Sequence, residues 1–337
     1  MRMRTTVGLA ALLAVTLWVA PAEAKIVYVK NSGTVEPVVF VAKDRGKDPR
    51  RLGIGTAPTI APNGNWVAFV SVPSGARHLE TVVLQKLAGG SQRLVMRSES
   101  IASLRFSPDS SKLAAVAAGK RVRVYDIAAD ELHVAAQGEI RGYSFSPDSE
   151  KIVYGKAEND GFQSASDLFT VPALGGKEKR LTDTGRALNP VWGPDEVFFD
   201  RFKRRRGDAP AYNLSAVDPA DPDKLRRLTS FTIPALVSGL VPLETSANSR
   251  RMLAVFTGQD AEAGFTVQTR TGKTRQLSPG EFESGIVGFD LSRDGEEILA
   301  HTGGPDPFAA HDVIVVPYKG GKPRVIVEDA AYPDWTH

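Results

Sequence analysis

Five histidines and no cysteine bound the chemistry that this 337-residue chain can carry. Without a thiol there is no thiolate nucleophile, no cysteine metal site, no disulfide framework and no lipid-bearing N-terminal cysteine. His78, His133, His301, His311 and His337 show neither H-x-x-H nor H-E-x-x-H spacing, so no metal site is expected from them. A serine nucleophile on a sharp elbow needs G-x-S-x-G, and the nearest string, GYSFS at Gly142, lacks the second glycine. Asp218, Asp221 and Asp223 in VDPADPDK could suggest calcium, but two prolines and the lack of a following Gly and Glu break the calcium-loop pattern. They read as a solvated turn. Arg206-Gly207-Asp208 spells an integrin-type tripeptide, a string short enough to arise by chance. The double glycines from Gly89, Gly175 and Gly320 read as hairpin corners, since no helix pattern follows them to bind a phosphate. The expectation is a protein without catalytic residues or cofactor, whose remaining chemistry is recognition.

Recognition needs elements to hold it, and these are written as a repeat. IAPNGNWVAFV, RFSPDSSKLAAV, SFSPDSEKIVYG, VWGPDEVFFD, TSANSRRMLAVF and DLSRDGEEILAH align on Asn63, Asp109, Asp148, Asp195, Asn248 and Asp294, which are 46, 39, 47, 53 and 46 residues apart. A period in the forties marks propeller blades. In SPDS the serine can bond back to the chain and the proline presets φ, as in a type I turn closing a hairpin. The flanking runs KIVYG and EVFFD are apolar on both faces, as strands sandwiched between neighbouring sheets must be. Two further strands follow each hairpin, such as RVRVYDI and ELHVAAQ, and four strands make a blade.

The termini supply the count. AAYPDWTH at the end matches NPVWGPD, the first strand of a repeat, while KIVYVK at Lys25 matches KIVYGK, the second. The last residues should therefore pair with the first and close a ring. Seven blades over residues 25–337 gives about 45 residues each, against about 52 for the alternative of six. The fold expected is an all-β, seven-bladed propeller forming one domain over 25–337.

FSPDSSKLA, FSPDSEKIVY, SASDLFTVPALGGKEKRLTDTG and HDVIVVPYKGGKPRVIV resemble the WD-like repeats of TolB-type β-propellers, which also occur as the propeller domains of prolyl-oligopeptidase-like peptidases. The resemblance covers essentially all of 25–337. Its namesake is a periplasmic protein of the Tol-Pal envelope system whose propeller docks partner proteins, and which carries a separate α/β domain ahead of the propeller. Here the N-terminal apolar segment runs straight into the first strand, so the resemblance implies a binding propeller rather than the Tol-Pal role itself.

That segment, MRMRTTVGLAALLAVTLWVAPAEA, has Arg2 and Arg4, an apolar run from Val7 to Ala20, and Ala22 and Ala24 as cleavage-site residues. It reads as a secretory signal over 1–24, too short in its apolar run to span a bilayer. The product is expected to be exported to the periplasm or outside the cell, not inserted in a membrane, and monomeric. The formal net charge of +3 is no concentrated basic footprint, so nucleic acid is not an expected partner.

Turns of the SPDS type and the double-glycine corners emerge on one face of such a disc. On the other, the second-to-third loops are long and dissimilar: VPSGARHLE, KAENDGFQSAS, FKRRRGDAPAY, TGQDAEAG and TGGPDPFAAHD. Irregular loops on a rigid scaffold are where binding resides. Arg204, Arg205 and Arg206 in one loop, Arg141 and Arg186 in linkers, and Phe308 as an apolar anchor form the candidate docking set for a protein or peptide. A glycan or small molecule at the channel mouth, and a peptidase-related or lyase-like enzyme, are the alternatives.

Overall fold

The computed structural model describes residues 24–71, 79–161, 163–205, 211–234, 237–258, 262–277, 286–304 and 310–336. Residues 1–23 of the segment 1–24 expected to be a signal, His78, Phe162, Arg206, Phe308 and His337 lie outside the described residues. The second strands of the repeats, KIVYVK, WVAFVS, KLAAVA and KIVYGKA, are each buried at four or more successive positions. Burial on both faces requires a sheet on either side, which is what the β-branched and aromatic content of these runs supplies.

Among the described residues the strands form five four-stranded sheets and one of eight. Sheet 1 joins Ala331–Trp335 to Lys25–Lys30, Val38–Lys43 and Lys47–Ile54. Sheet 2 holds Thr56–Ile60, Trp66–Ser71, Glu80–Lys86 and Arg93–Ser98; sheet 3 holds Ile101–Phe106, Lys112–Ala117, Arg121–Asp126 and Glu131–Gln137. Sheet 4 runs through Glu139–Phe145, Lys151–Ala157, Ser166–Pro172 and Lys179–Arg180. The eight-stranded sheet has two halves. Sheet 5a, from Ala187–Trp192 to Leu225–Arg227, meets sheet 5b, from Val237–Thr245 to Thr274–Gln276, through one parallel pair, Tyr212 with Gly239. Sheet 6 spans Ile286–Leu291, Glu297–Thr302, Val313–Pro317 and Arg324–Val327.

In every case antiparallel neighbours follow chain order except in sheet 1, where the C-terminal strand takes the first place. Its register sets Ile26 against Trp335, Val27 against Asp334 and Val29 against Ala331. The backbone N–H of Lys25 donates to Thr336 Oγ1 (2.9 Å), and that of Thr336 to the Lys25 carbonyl (2.9 Å).

The hydrophobic residues segregate into clusters between consecutive sheets. Val27, Val29 and Val41 pack against Val67 and Phe69 between sheets 1 and 2, and Val153 and Leu168 against Val197 and Phe199 between sheets 4 and 5a. Phe198 and Leu214 meet Leu240 and Met252 between the two halves of the eight-stranded sheet. Ile26 and Tyr28 meet Leu299, Val313 and Val315 between sheets 1 and 6. Full burial of each such side chain contributes about 1.5–3 kcal/mol, so the interfaces between sheets are where the stability resides.

The repeated turns bind sheet to sheet. In Ser107-Pro108-Asp109-Ser110 the Ser110 N–H donates to the Ser107 carbonyl (2.8 Å), and Asp109 Oδ1 accepts from the Ser107 hydroxyl (2.6 Å) and the Ser111 N–H (3.0 Å). The fourth-position serines reach across to the preceding turn: Ser110 Oγ accepts from the Asn63 N–H (3.1 Å) and Ser149 Oγ from the Asp109 N–H (3.1 Å). The phrase therefore closes a hairpin and latches it to its neighbour.

Candidate binding face at the mouth of the innermost strands

The first strand of each sheet carries an irregularity at its beginning, at the end where linkers and second-to-third loops emerge. The register shifts between Thr56 and Thr59, Ala102 and Arg105, Ile140 and Tyr143, Leu188 and Val191, and Val287 and Asp290. At these bulges Ala57 (φ 46°), Ser103 (54°), Gly142 (77°), Asn189 (44°) and Tyr332 (50°) are left-handed, as is Gly239 (109°) in sheet 5b. Bulges of this kind re-aim side chains and gather beside functional sites. Left-handed conformations at residues other than glycine cost on the order of 1–3 kcal/mol each. They recur at the start of the innermost strands, while Ser110 (65°), Ser149 (62°) and Ser249 (51°) are left-handed in the short turns at the opposite end.

Beyond the bulges, side chains tie each innermost strand to the next. Asp334 Oδ2 accepts from the Ile60 N–H (2.9 Å), Glu244 Oε2 from the Leu291 N–H (3.2 Å), Asp290 Oδ2 from the Trp335 N–H (3.4 Å) and Ser144 Oγ from the Trp192 N–H (3.0 Å). Burial first, and then the neighbouring Glu244 and Asp334, hold the Asp290 carboxyl well above the ordinary aspartate range.

The candidate arginines divide. Arg141 lies within an innermost strand rather than in a linker, half-buried, with Nη2 3.4 Å from the Asn159 carbonyl. Arg186 and Arg204 are exposed. Arg205 is committed elsewhere: its guanidinium donates to the carbonyls of Pro234 (2.7 Å) and Ile233, and its main chain exchanges hydrogen bonds with the Gln163 amide (3.0 and 2.9 Å). It fastens two loops to one another and is not a free docking group. Arg206 and Phe308, outside the described residues, receive no placement.

What the sequence reading missed is Asp200. The residue facing the one just ahead of the bulge is Val29 in sheet 1, Val70 in sheet 2, Val116 in sheet 3 and Lys156 in sheet 4, but Asp200 in sheet 5a and His301 in sheet 6. Asp200 is 0% exposed and neither carboxylate oxygen has a hydrogen-bond partner. Burial pushes its carboxyl up to about 7, against the smaller pull of the Asn189 amide. Tyr212 is its other polar neighbour; burial, then the charge of Asp200, raises that phenol to about 12, and Arg141 opposes them. The signal was available in the repeat, since Asp200 is a carboxylate aligned with valines.

His301 and His311, apart in sequence, meet with ring centroids 5.0 Å apart and edge to face, and Tyr332 stands 5.1 Å from His301. Both Nδ1 atoms contact the Thr302 carbonyl, at 3.0 and 2.6 Å. A carbonyl only accepts, so both imidazoles carry a proton on Nδ1, and both Nε2 atoms are buried without a partner. Burial lowers His301 to about 4, which keeps it neutral. No group of three His, Asp or Glu side chains suited to a metal occurs among the described residues.

No family model matches the chain, and no curated protein matches it. Solved structures do. TolB from Acinetobacter baumannii is 16% identical with a TM-score of 0.54, the match covering 93% of this chain and 66% of that one. The β-propeller domain of the Trilobed protease from Pyrococcus furiosus, described as having an open velcro topology, is 14% identical over 91% of this chain and 95% of its own, with a TM-score of 0.67. An oligogalacturonate lyase in complex with manganese is 14% identical over 90% and 83%, with a TM-score of 0.59. At these identities the likeness is one of fold, and the fold is that of a TolB-like β-propeller.

Proposed function

We propose that this chain is an exported, non-catalytic binding module: a seven-bladed propeller over 25–337 that docks a protein or peptide through its long-loop face. Sheets 1 to 4, the two halves of the eight-stranded sheet and sheet 6 are its blades, and the pairing of Ala331–Trp335 with Lys25–Lys30 closes the ring. The hydrophobic cluster between sheets 6 and 1 supports that closure, because it makes the last sheet a neighbour of the first. The signal-like segment ahead of Lys25 supports export to a periplasm or the cell exterior.

The observation that carries the binding role is the asymmetry of the two faces. Short, mutually latched turns occupy one; strained bulges, long loops and exposed arginines occupy the other. The register shifts at the start of the innermost strands re-aim side chains there, which a surface that must present them to a ligand requires and a scaffold does not. Arg186 and Arg204, with Arg141 beside the mouth, supply planar donors suited to carboxylates of a partner.

The test is a pull-down from the native host followed by titration at two salt concentrations. Arg186→Glu with Arg204→Glu, both at exposed sites, is expected to weaken capture at least tenfold and to flatten its salt dependence, because salt no longer screens an attraction, with the melting temperature unchanged. Glu150→Lys on the short-turn face is expected to bind normally. Normal binding by the double reversal together with loss in the control would move the functional face to the repeated turns. A second reading, a small ligand held at the mouth, has Asp200 in its favour.

A further inference from the structure

Asp200 breaks the pattern of its own scaffold. In sheets 1, 2 and 3 the equivalent position is valine, so the strand pairing does not need a carboxylate there. A carboxylate at a fully buried position is costly unless a cation or donors compensate it, and neither of its oxygens has a partner. Two half-exposed polar side chains adjoin it on the side of the mouth: the Asn189 amide, on the bulge of the innermost strand, and the Tyr212 phenol. Asn189 is held in place from behind, since Gly142 of the neighbouring strand packs so close that an added Cβ would lie 2.8 Å from its Cα. The Asn189 amide faces Asp200 with its N–H side, its oxygen lying toward Gly142, so the two carboxylate oxygens and the phenol oxygen are the three acceptors, and a primary ammonium group has three N–H donors and one positive charge.

We infer that Asp200, Asn189 and Tyr212 form a seat for one primary ammonium group, the end of a lysine side chain on the docking partner. The carboxylate supplies the counter-charge and accepts two of the donors, the phenol oxygen takes the third, and the Asn189 amide orients the carboxylate. This deepens the docking role proposed above by naming the chemistry of one anchor; the arginine rim recognises carboxylates, and this seat recognises the opposite charge beside it. Arg141, whose charge also acts on Tyr212, is the resident cation that could compete, and its guanidinium is directed to Asn159 instead.

The test uses n-butylammonium, the fragment equivalent of a lysine side chain, titrated into the full protein and followed by NMR and by thermal shift. Because only the ionised carboxylate binds, and burial sets its ionisation near 7, the apparent affinity should rise roughly thirtyfold between about pH 5.5 and pH 8.5, in proportion to the ionised fraction. Asp200→Asn should lose binding at pH 8.5. Butyltrimethylammonium, which has the charge without N–H donors, and n-butanol, which has the stem without charge, should not bind. Equal binding of n-butylammonium by Asp200→Asn, or its absence from the wild type at pH 8.5, overturns the seat. So does Arg141→Gln shifting the Asp200 titration upward by a full pH unit or more, which would make Arg141 the counter-ion. Because the fragment is measured without the partner, failure of the seat leaves the arginine-reversal result intact, and the reverse also holds.

Discussion

Asp200 shows how a single side chain can oppose the fold that holds it. Its carboxyl is raised to about 7 from an ordinary value of 3.8, so the folded chain holds that proton more tightly than the unfolded chain does. The group therefore costs nothing below about pH 4, and its penalty grows as pH rises to about 7 and is constant above it, on the order of 4 kcal/mol. Asp200→Asn should melt at a higher temperature than the wild type at pH 8 and at the same temperature near pH 4. Parallel melting profiles across that range would show that the carboxylate is compensated. A buried carboxylate that lowers stability, where three counterparts are valines, is the kind of residue that trades stability for activity. Arg205 teaches the reverse lesson. By type and loop it belongs with Arg204, yet its guanidinium is spent on the Ile233 and Pro234 carbonyls, so charge and position alone overstate its availability.

At the scale of elements, the innermost strands are bulged where they crowd one another at the mouth. Gly142 is left-handed at φ 77°, and a Cβ there would sit 2.8 Å from Asn189 Cα and 3.1 Å from its Oδ1. Gly119, left-handed at φ 66° in a hairpin turn, would meet nothing within 4 Å. Both Gly→Ala changes incur the backbone penalty, about 1–2 kcal/mol. Only Gly142→Ala adds a clash between strands, so chemical denaturation should find it at least 1–3 kcal/mol less stable than Gly119→Ala. Equal destabilisation would mean that the bulges are independent of one another. The turns at the opposite end had their chemistry written in full in the sequence. Their hairpin closure was legible from Ser, Pro and Asp, while the latch from Ser149 to the Asp109 N–H was not, because it joins residues 40 apart through the stacking of two sheets.

At the scale of the whole molecule, the seam between the two ends of the chain is the weakest point, since one sheet there is completed without a covalent connection. Removing Tyr332 to His337 would strip the residues opposite Ile26 and Val27, and with them the Trp335 side chain that packs on the cluster of Ile26, Tyr28 and Leu299. Two or three buried side chains at about 1.5–3 kcal/mol each, set against a typical total of about 5–15 kcal/mol, make this loss large. The truncated protein should aggregate or melt well below the full chain in a thermal scan. Unchanged melting would show that the fold is held without that strand.

Local order was determined by the sequence: turn residues at fixed offsets, apolar runs buried on both faces, and terminal strings that match two successive strands of one repeat. These follow from steric and solvation preferences that act within a few residues, and they placed the strands, the TolB-like fold and the pairing of the two ends. Tertiary structure decided which polar groups would find partners. His301 and His311 meet because Val313–Pro317 pairs antiparallel with Glu297–Thr302, Arg205 is consumed by a linker distant in sequence, and the charge of Asp200 goes uncompensated because burial removes water and only the Asn189 amide opposes it. Compensation of a buried charge depends on every element around it, and no spacing along the chain encodes that.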